Sequence, residues 1–207
     1  MSSPREFTER LRAAAARIRA DVPGFGPDRL TEPDAPSGER WDRGQVLAHV
    51  AEMLPYWIAQ IELVLAAGGN RAPFGRVKSD PERIAAIEED RGLDTEELLD
   101  RMDEGVAEAA LSMRRLTPAD LACTGRHSTR GVMTVAEILE EFVVAHLEEH
   151  ADQLGAPADD AGDDEGEDGD DEGDEGGDDD EAAPEAVAGS GGGTAGRPGR
   201  EAAGRKG

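Results

Sequence analysis

Apolar residues recur at helical spacing in four long segments of this chain, and polar capping signals mark where each begins. Phe7, Leu11, Ala15, Ile18 and Val22 follow Ser3-Pro4-Arg5-Glu6, a capping box with proline at the first helical position, and predict helix one. A Pro- and Gly-rich stretch from Pro23 to Arg40 leads to Trp41-Asp42. Val46, Val50, Leu54, Trp57, Ile58, Ile61 and Leu65 then predict a long second helix ended by Gly68-Gly69, with Pro55 expected to kink it by clashing with the carbonyl of Ala51. A connector from Gly68 to Leu93 holds a short helix opened by Ser79-Asp80-Pro81-Glu82 and is long enough to cross the molecule. Asp94 with Glu97 caps a third long helix through Leu98, Met102, Val106, Ala109, Met113 and Leu116. Thr117 to Met133 reads as loop, and Thr134-Val135-Ala136-Glu137 opens a fourth helix that Gly155 and Pro157 stop. The pattern contains no strand and no internal repeat, so it predicts an all-α fold.

Two histidines interrupt the most apolar of these stripes. Ile138, Leu139, Phe142, Val143 and Leu147 share one face of the fourth helix, and His146 and His150, at i and i+4, project through its centre rather than from its polar edge. A buried imidazole loses hydration and needs a partner, and side chains at this spacing lie about 5 to 6 Å apart, close enough for both to meet one cation. His49 lies on the flank of the stripe of helix two. At 1.5 Å per residue it is roughly 12 Å from the start of that helix, while His146 and His150 are roughly 12 and 6 Å from the end of helix four. If the two helices run antiparallel, the three rings meet at one level. Three protein ligands leave a fourth position for water or substrate, the pattern of a catalytic rather than a structural zinc. A lone buried histidine is ordinarily a hydrogen-bonded core residue, but here three of the chain's four histidines reach compatible depth.

These residues carry a family resemblance. Trp41-Asp42-Arg43-Gly44-Gln45-Val46-Leu47-Ala48-His49, Thr124-Gly125-Arg126-His127 with Gly131-Val132-Met133-Thr134, and His146-Leu147-Glu148-Glu149-His150 resemble the DinB-like superfamily of metal-binding four-helix bundles over roughly residues 1 to 155. That superfamily includes thiol-dependent S-transferases and relatives of the mycothiol-dependent maleylpyruvate isomerase. The resemblance implies an up-down-down-up bundle in which helices two and four are antiparallel. It implies that His49, His146 and His150 bind a divalent metal, zinc or else nickel, iron or manganese. It further implies a metal-dependent transferase or isomerase that uses a low-molecular-weight thiol of mycothiol type as cosubstrate, with an electrophilic small molecule as the other partner. A metal-holding binding or stress-response module without turnover is the alternative.

Other residues compete for roles. His146-Leu147-Glu148-Glu149-His150 also matches the inverted zincin pattern with Glu149 as base, but that pattern needs a further ligand from a folded segment downstream. Glu52 and Glu149 could orient the ligand imidazoles or simply belong to solvated helix faces. His127 is read as a surface turn residue, because helix four begins at the end of the bundle away from the proposed metal. Trp41 and Trp57 are read as packing residues and Cys123 as a loop thiol.

Composition divides the chain. Of 207 residues, those from Ala158 onward are mostly Gly, Asp, Glu, Ala and Pro, with almost no apolar residue larger than alanine to bury. They are expected to form a disordered acidic tail, residues 158–207, beside a bundle domain of residues 1–157. The tail holds 18 of the 47 acidic residues and 4 of the 22 basic ones, so it carries −14 of the net charge of −25 and the bundle −11. Its Asp and Gly residues miss the EF-hand register, since glycine occupies the third loop position in Asp164-Glu165-Gly166. This balance repels phosphate backbones and anionic lipid, which argues against nucleic-acid and membrane partners. With one cysteine and no apolar leader, the expectation is a cytoplasmic protein; a homodimer is compatible with the sequence.

Overall fold

In the computed structural model, which describes residues 2–34 and 38–156, the capping signals become helix starts. Ser3 accepts from the Glu6 amide while the Glu6 carboxylate accepts from the Ser3 amide, opening α1, Pro4–Asp21. Asp42 and Gln45 form the same reciprocal pair at the head of α2, Arg43–Ala66, which continues past Pro55 and ends where Gly68 and Gly69 turn to positive φ. Asp80 caps α3, Pro81–Asp90. Asp94 caps α4, Thr95–Met113, through the Glu96 amide. The expected partner Glu97 instead accepts from Arg101 one turn on. Thr117 and Asp120 box the short α5, Pro118–Ala122, inside the segment read as loop. Thr134 and Glu137 box α6, Val135–Leu139. The expected acidic tail and the domain boundary at residues 157 and 158 lie outside the described residues.

The fourth helix departs from a plain α-helix. After α6 comes one π-helical turn, Glu140–Val144, and then α7, Ala145–Gly155. Within the turn Val143 and Val144 are both buried, and it ends two residues before His146. On the outside, Arg10 of α1 spans the turn by pairing with Glu140 and Glu148.

Side-chain partners fix the helix directions. Arg10 meets Glu140 and Glu148 and Arg17 meets Asp152, so α1 and α7 are parallel. Thr8 approaches Met113 while Arg19 bonds Glu96, Asp100 and Asp103, so α1 and α4 are antiparallel. Trp57 stacks on Phe142 while His49 approaches His150, so α2 opposes the fourth helix. The bundle is therefore up-down-down-up, with α2 and α4 parallel because the Gly68 to Leu93 connector crosses the molecule. Phe7, Leu11 and Ile18, Leu47, Met53 and Leu54, Leu98 and Met102, and Ile138 and Leu147 fill its core. Each such side chain contributes roughly 1.5 to 3 kcal/mol by leaving water.

The expectation of no strands is corrected. Ala72–Phe74 forms β1, Thr124–His127 forms β2 and Gly131–Thr134 forms β3, in the order β1-β2-β3. β1 and β2 pair in parallel with Phe74 opposite His127, and β2 and β3 form an antiparallel hairpin. Strands of three or four residues hold at most two inward positions, too few to register as an alternating pattern. Pro73 is tolerated because β1 is an edge strand.

Gly44 shows why a small residue follows the cap of α2. A Cβ there would stand 2.2 Å from the backbone oxygen of Arg91, whose guanidinium reaches back to Asp42 at 2.5 Å and fastens the end of α3 to the head of α2. Gly→Ala inside a helix ordinarily gains about 1 kcal/mol. Here the clash with a backbone atom should reverse the sign, and Gly44→Ala is expected to destabilise by roughly 1 to 3 kcal/mol. Thermal denaturation checks this; a melting temperature equal to or above wild type would refute it.

Candidate metal centre

His49 enters the site from α2, and His146 and His150 enter from successive turns of α7. One ligand atom from each lies within 4.8 Å of the others, so the three can hold a metal ion. The ring centroids are 5.2 Å apart for His49 and His146, 5.1 Å for His49 and His150, and 4.7 Å for His146 and His150. His49 is 4 % exposed and His150 6 %.

The nitrogens point as ligands should. His49 Nε2 faces His146 Nε2 at 3.0 Å. His150 donates from Nδ1 to the Gln153 side-chain oxygen at 2.8 Å, which leaves Nε2 as the lone-pair nitrogen. That Nε2 is buried and has no hydrogen-bond partner among the described residues. A buried acceptor without a partner costs about 1 to 3 kcal/mol, a penalty that an ion would remove. His49 Nδ1, the second unpartnered buried atom, lies 4.0 Å from the Glu52 carboxylate, too far for a hydrogen bond. Glu52 is itself held by Arg76, whose guanidinium lies 3.8 Å over the Tyr56 ring.

All three imidazoles are held neutral. Burial, followed by the mutual repulsion of the rings and the field of Arg83, pushes His146 down to about 3 and His49 well below its usual range. Burial also lowers His150 to about 4, against the opposing pull of its bond to Gln153. Neutral imidazole is the form that binds metal.

Beside the histidines lies a cavity of about 570 Å³, large enough for a small molecule. Trp57 and Phe142 form one wall, stacked at 4.3 Å, and His127 packs on Phe142 at 5.2 Å. The placement of His127 on the surface is corrected here: it is 4 % exposed and lines this cavity. Although α6 starts at the far end of the bundle, the β2–β3 hairpin folds back and pairing with β1 carries His127 inward. Its Nδ1 accepts from the amides of Thr129 and Arg130, so Nε2 carries the proton and donates to the Arg76 carbonyl at 3.2 Å. Both nitrogens are thus occupied. Gly75 makes room for this ring, since a Cβ there would stand 2.4 Å from His127 Cδ2.

Trp57 is a packing residue, as read from the sequence, but Trp41 is more than that. Its ring lies edge-on to His49 at 5.2 Å and parallel to His150 at 6.4 Å, held by bonds between the Trp41 and Thr31 segments. Glu149 is exposed at the cavity mouth, and Cys123 is outside the cavity lining. Arg76, Lys78 and Arg83 also line the cavity. They come from the connector, where no periodicity could single them out.

The DinB superfamily model matches residues 11–154. The chain belongs to the DinB superfamily. Among solved structures, this DinB chain is similar to YfiT from Bacillus subtilis, described as a probable metal-dependent hydrolase with an unusual four-helix bundle topology. The TM-score is 0.59 at 18 % identity, over 74 % of this chain and 86 % of that one. It is also similar to a mycothiol-dependent maleylpyruvate isomerase, with a TM-score of 0.56 at 16 % identity over 75 % of this chain and 64 % of the isomerase. At these identities the likeness establishes the fold. No curated protein sequence matches. Among the described residues no helix is long and apolar enough to cross a membrane.

Two outcomes follow from the site. Gln153→Ala should weaken divalent-metal affinity by roughly 10- to 100-fold while the helical spectrum is retained, because the His150 ring loses its orienting acceptor. Competition with a chromogenic chelator measures this, and unchanged affinity would refute the role. In the metal-free protein, His146 and His150 protonate only near pH 3 and 4, whereas the unfolded chain takes up those protons around the usual imidazole value of 6.5. The unfolded state then binds more protons, so stability is full above pH 6.5 and falls as the pH drops from there towards 4. Melting temperatures at pH 7.5 and 4.5 should fall further for metal-free wild type than for a His146→Gln, His150→Gln variant; equal losses would show that the rings protonate within the fold.

Proposed function

We propose that this DinB protein holds one divalent metal ion through His49, His146 and His150 and transfers, or isomerises with, a low-molecular-weight thiol. The observation that carries the reading is the unpartnered, unprotonated Nε2 of His150 converging with two other neutral imidazoles beside a cavity of small-molecule size. A divalent ion bound by three imidazoles supplies Lewis acidity, lowering the pKa of a thiol that takes its remaining position so that a nucleophile exists at neutral pH. The mycothiol-dependent relative supports the choice of thiol.

The chain's own residues prepare the site. Gln153 fixes the His150 ring, and Glu52 stands behind His49 with Arg76 restraining it. Trp41 covers the histidines from the side of the Pro23 to Arg40 segment. The Trp57, Phe142 and His127 wall is rigid and largely apolar, suited to packing the carbon skeleton of an electrophile while limiting water. Cys123 supplies no nucleophile, since it is outside the cavity lining.

Purified protein is expected to carry about one divalent ion per chain. His146→Ala or His150→Ala should lose it with helicity retained. Addition of mycothiol, bacillithiol, glutathione or cysteine to the cobalt-substituted protein should change the ligand-field spectrum, and Cys123→Ser should respond like wild type. Metal-dependent turnover against a model electrophile should vanish in the His49, His146, His150 triple-alanine variant. Equal metal content in that variant would refute the site. A cobalt spectrum indifferent to every thiol would favour a metal-holding module without turnover.

A further inference from the structure

Four cations line the cavity of a chain that is otherwise strongly acidic, and three of them are matched by acids. Arg76 pairs with Glu52, Lys78 with Asp34, and Arg130 with Glu141. Arg83 has no carboxylate within ion-pairing distance among the described residues. Its Nη1 donates to the Lys78 carbonyl at 3.1 Å, and its guanidinium lies 5.2 Å from the Trp41 ring centre. The Nε and Nη2 groups have no protein partner among the described residues. Trp41 in turn is the ring set against His49 and His150, so Arg83 stands one aromatic ring away from the histidine cluster.

An unmatched, half-buried guanidinium is costly, because desolvation weakens its hydration and no anion replaces it. Burial, with Arg76 nearby, lowers the pKa of Arg83 from its usual value, and no neighbouring acid offsets that penalty fully. The sequence places Arg83 on the first turn of α3, whose cap Asp80 accepts from its backbone amide, so the side chain is projected from a fixed helix start. A planar fork held at one corner by a backbone carbonyl, braced by an aromatic ring and open along its other edge is built to receive two oxygens of one carboxylate.

We infer that Arg83 is a specificity-determining residue that binds the carboxylate of a small anionic substrate and holds the rest of that molecule over the three histidines. This rests on the proposed function and narrows it: the electrophile is a carboxylic acid anion rather than a neutral compound. Trp41 serves as the lateral stop of the subsite, and Lys78 and Arg130, already paired with Asp34 and Glu141, leave Arg83 as the cation that selects for the carboxylate.

Succinate is the probe, with succinamide as its uncharged counterpart and inorganic phosphate as a competing oxyanion. Chain fluorescence arises from two tryptophans, so Trp57→Phe leaves Trp41 as the reporter beside Arg83. In zinc-loaded and in metal-free full-length protein, succinate should give a saturable change in Trp41 emission and succinamide none. Arg83→Gln should raise the succinate Kd at least tenfold with zinc content and helicity unchanged, and Arg83→Lys should recover part of the affinity. An unchanged Kd in Arg83→Gln, or equal binding of succinamide, would overturn the subsite. Tighter binding of phosphate than of succinate would overturn the choice of carboxylate. Loss of the cobalt response to thiols together with retained, Arg83-dependent succinate binding would fell the functional reading alone.

Discussion

The arrangement depends on taking three imidazoles out of water at one level of a helical bundle. Each ring gives up hydration that a packed apolar core cannot return, so the surroundings must supply partners or leave a defect. Gln153 does so for one nitrogen of His150, and the two facing Nε2 atoms do so in part for each other. The cluster still holds an unsatisfied lone pair at His150, and this residual demand gives the bundle an affinity for something that is not protein.

Topology answers that demand before any loop is considered. Placing α2 antiparallel to the fourth helix brings the early part of one beside the late part of the other. The connector that permits it also runs across the mouth of the site. The strand and helix it carries deliver Arg76, Lys78 and Arg83 to a cavity whose inner wall is aromatic and whose floor is the histidine cluster. On the outer faces acids are engaged by bundle cations, as Arg10 shows with Glu140 and Glu148, while at the cavity Asp34 and Glu141 answer Lys78 and Arg130.

How much of this was legible in the sequence follows from the length over which each signal is written. Capping boxes at Ser3 and Thr134 and stripes spanning several turns were readable because they repeat or have two interlocking parts. The meeting of His49 with His146 and His150 was readable from depth along two long helices. The strands were not, since β1 holds only three residues and its Phe74 gains meaning from pairing with a segment far along the chain. His127 was placed on the surface for the same reason: its burial is a property of the pairing, not of its neighbours in sequence. Arg83 occupies a helix start that resembles any solvated first turn until the fold sets Trp41 against it.

The π-helical turn at Glu140–Val144 has a consequence for how this region can vary. A helix is a counting device, and here the count contains one residue more than a regular spiral would use. Removing a single residue from this turn would leave a sequence equally fit to be helical, and by ordinary measures of propensity a better one. In a π turn the residues at i and i+5 stand where i and i+4 stand in an α-helix, so the surplus residue is absorbed locally and its removal would let the turn close as α-helix with the histidines still aimed at His49. What would change is the packing at Val143 and Val144, both buried in the core. The length of this turn is thus a matter of packing, while the aim of the histidines belongs to the regular helix on either side of it.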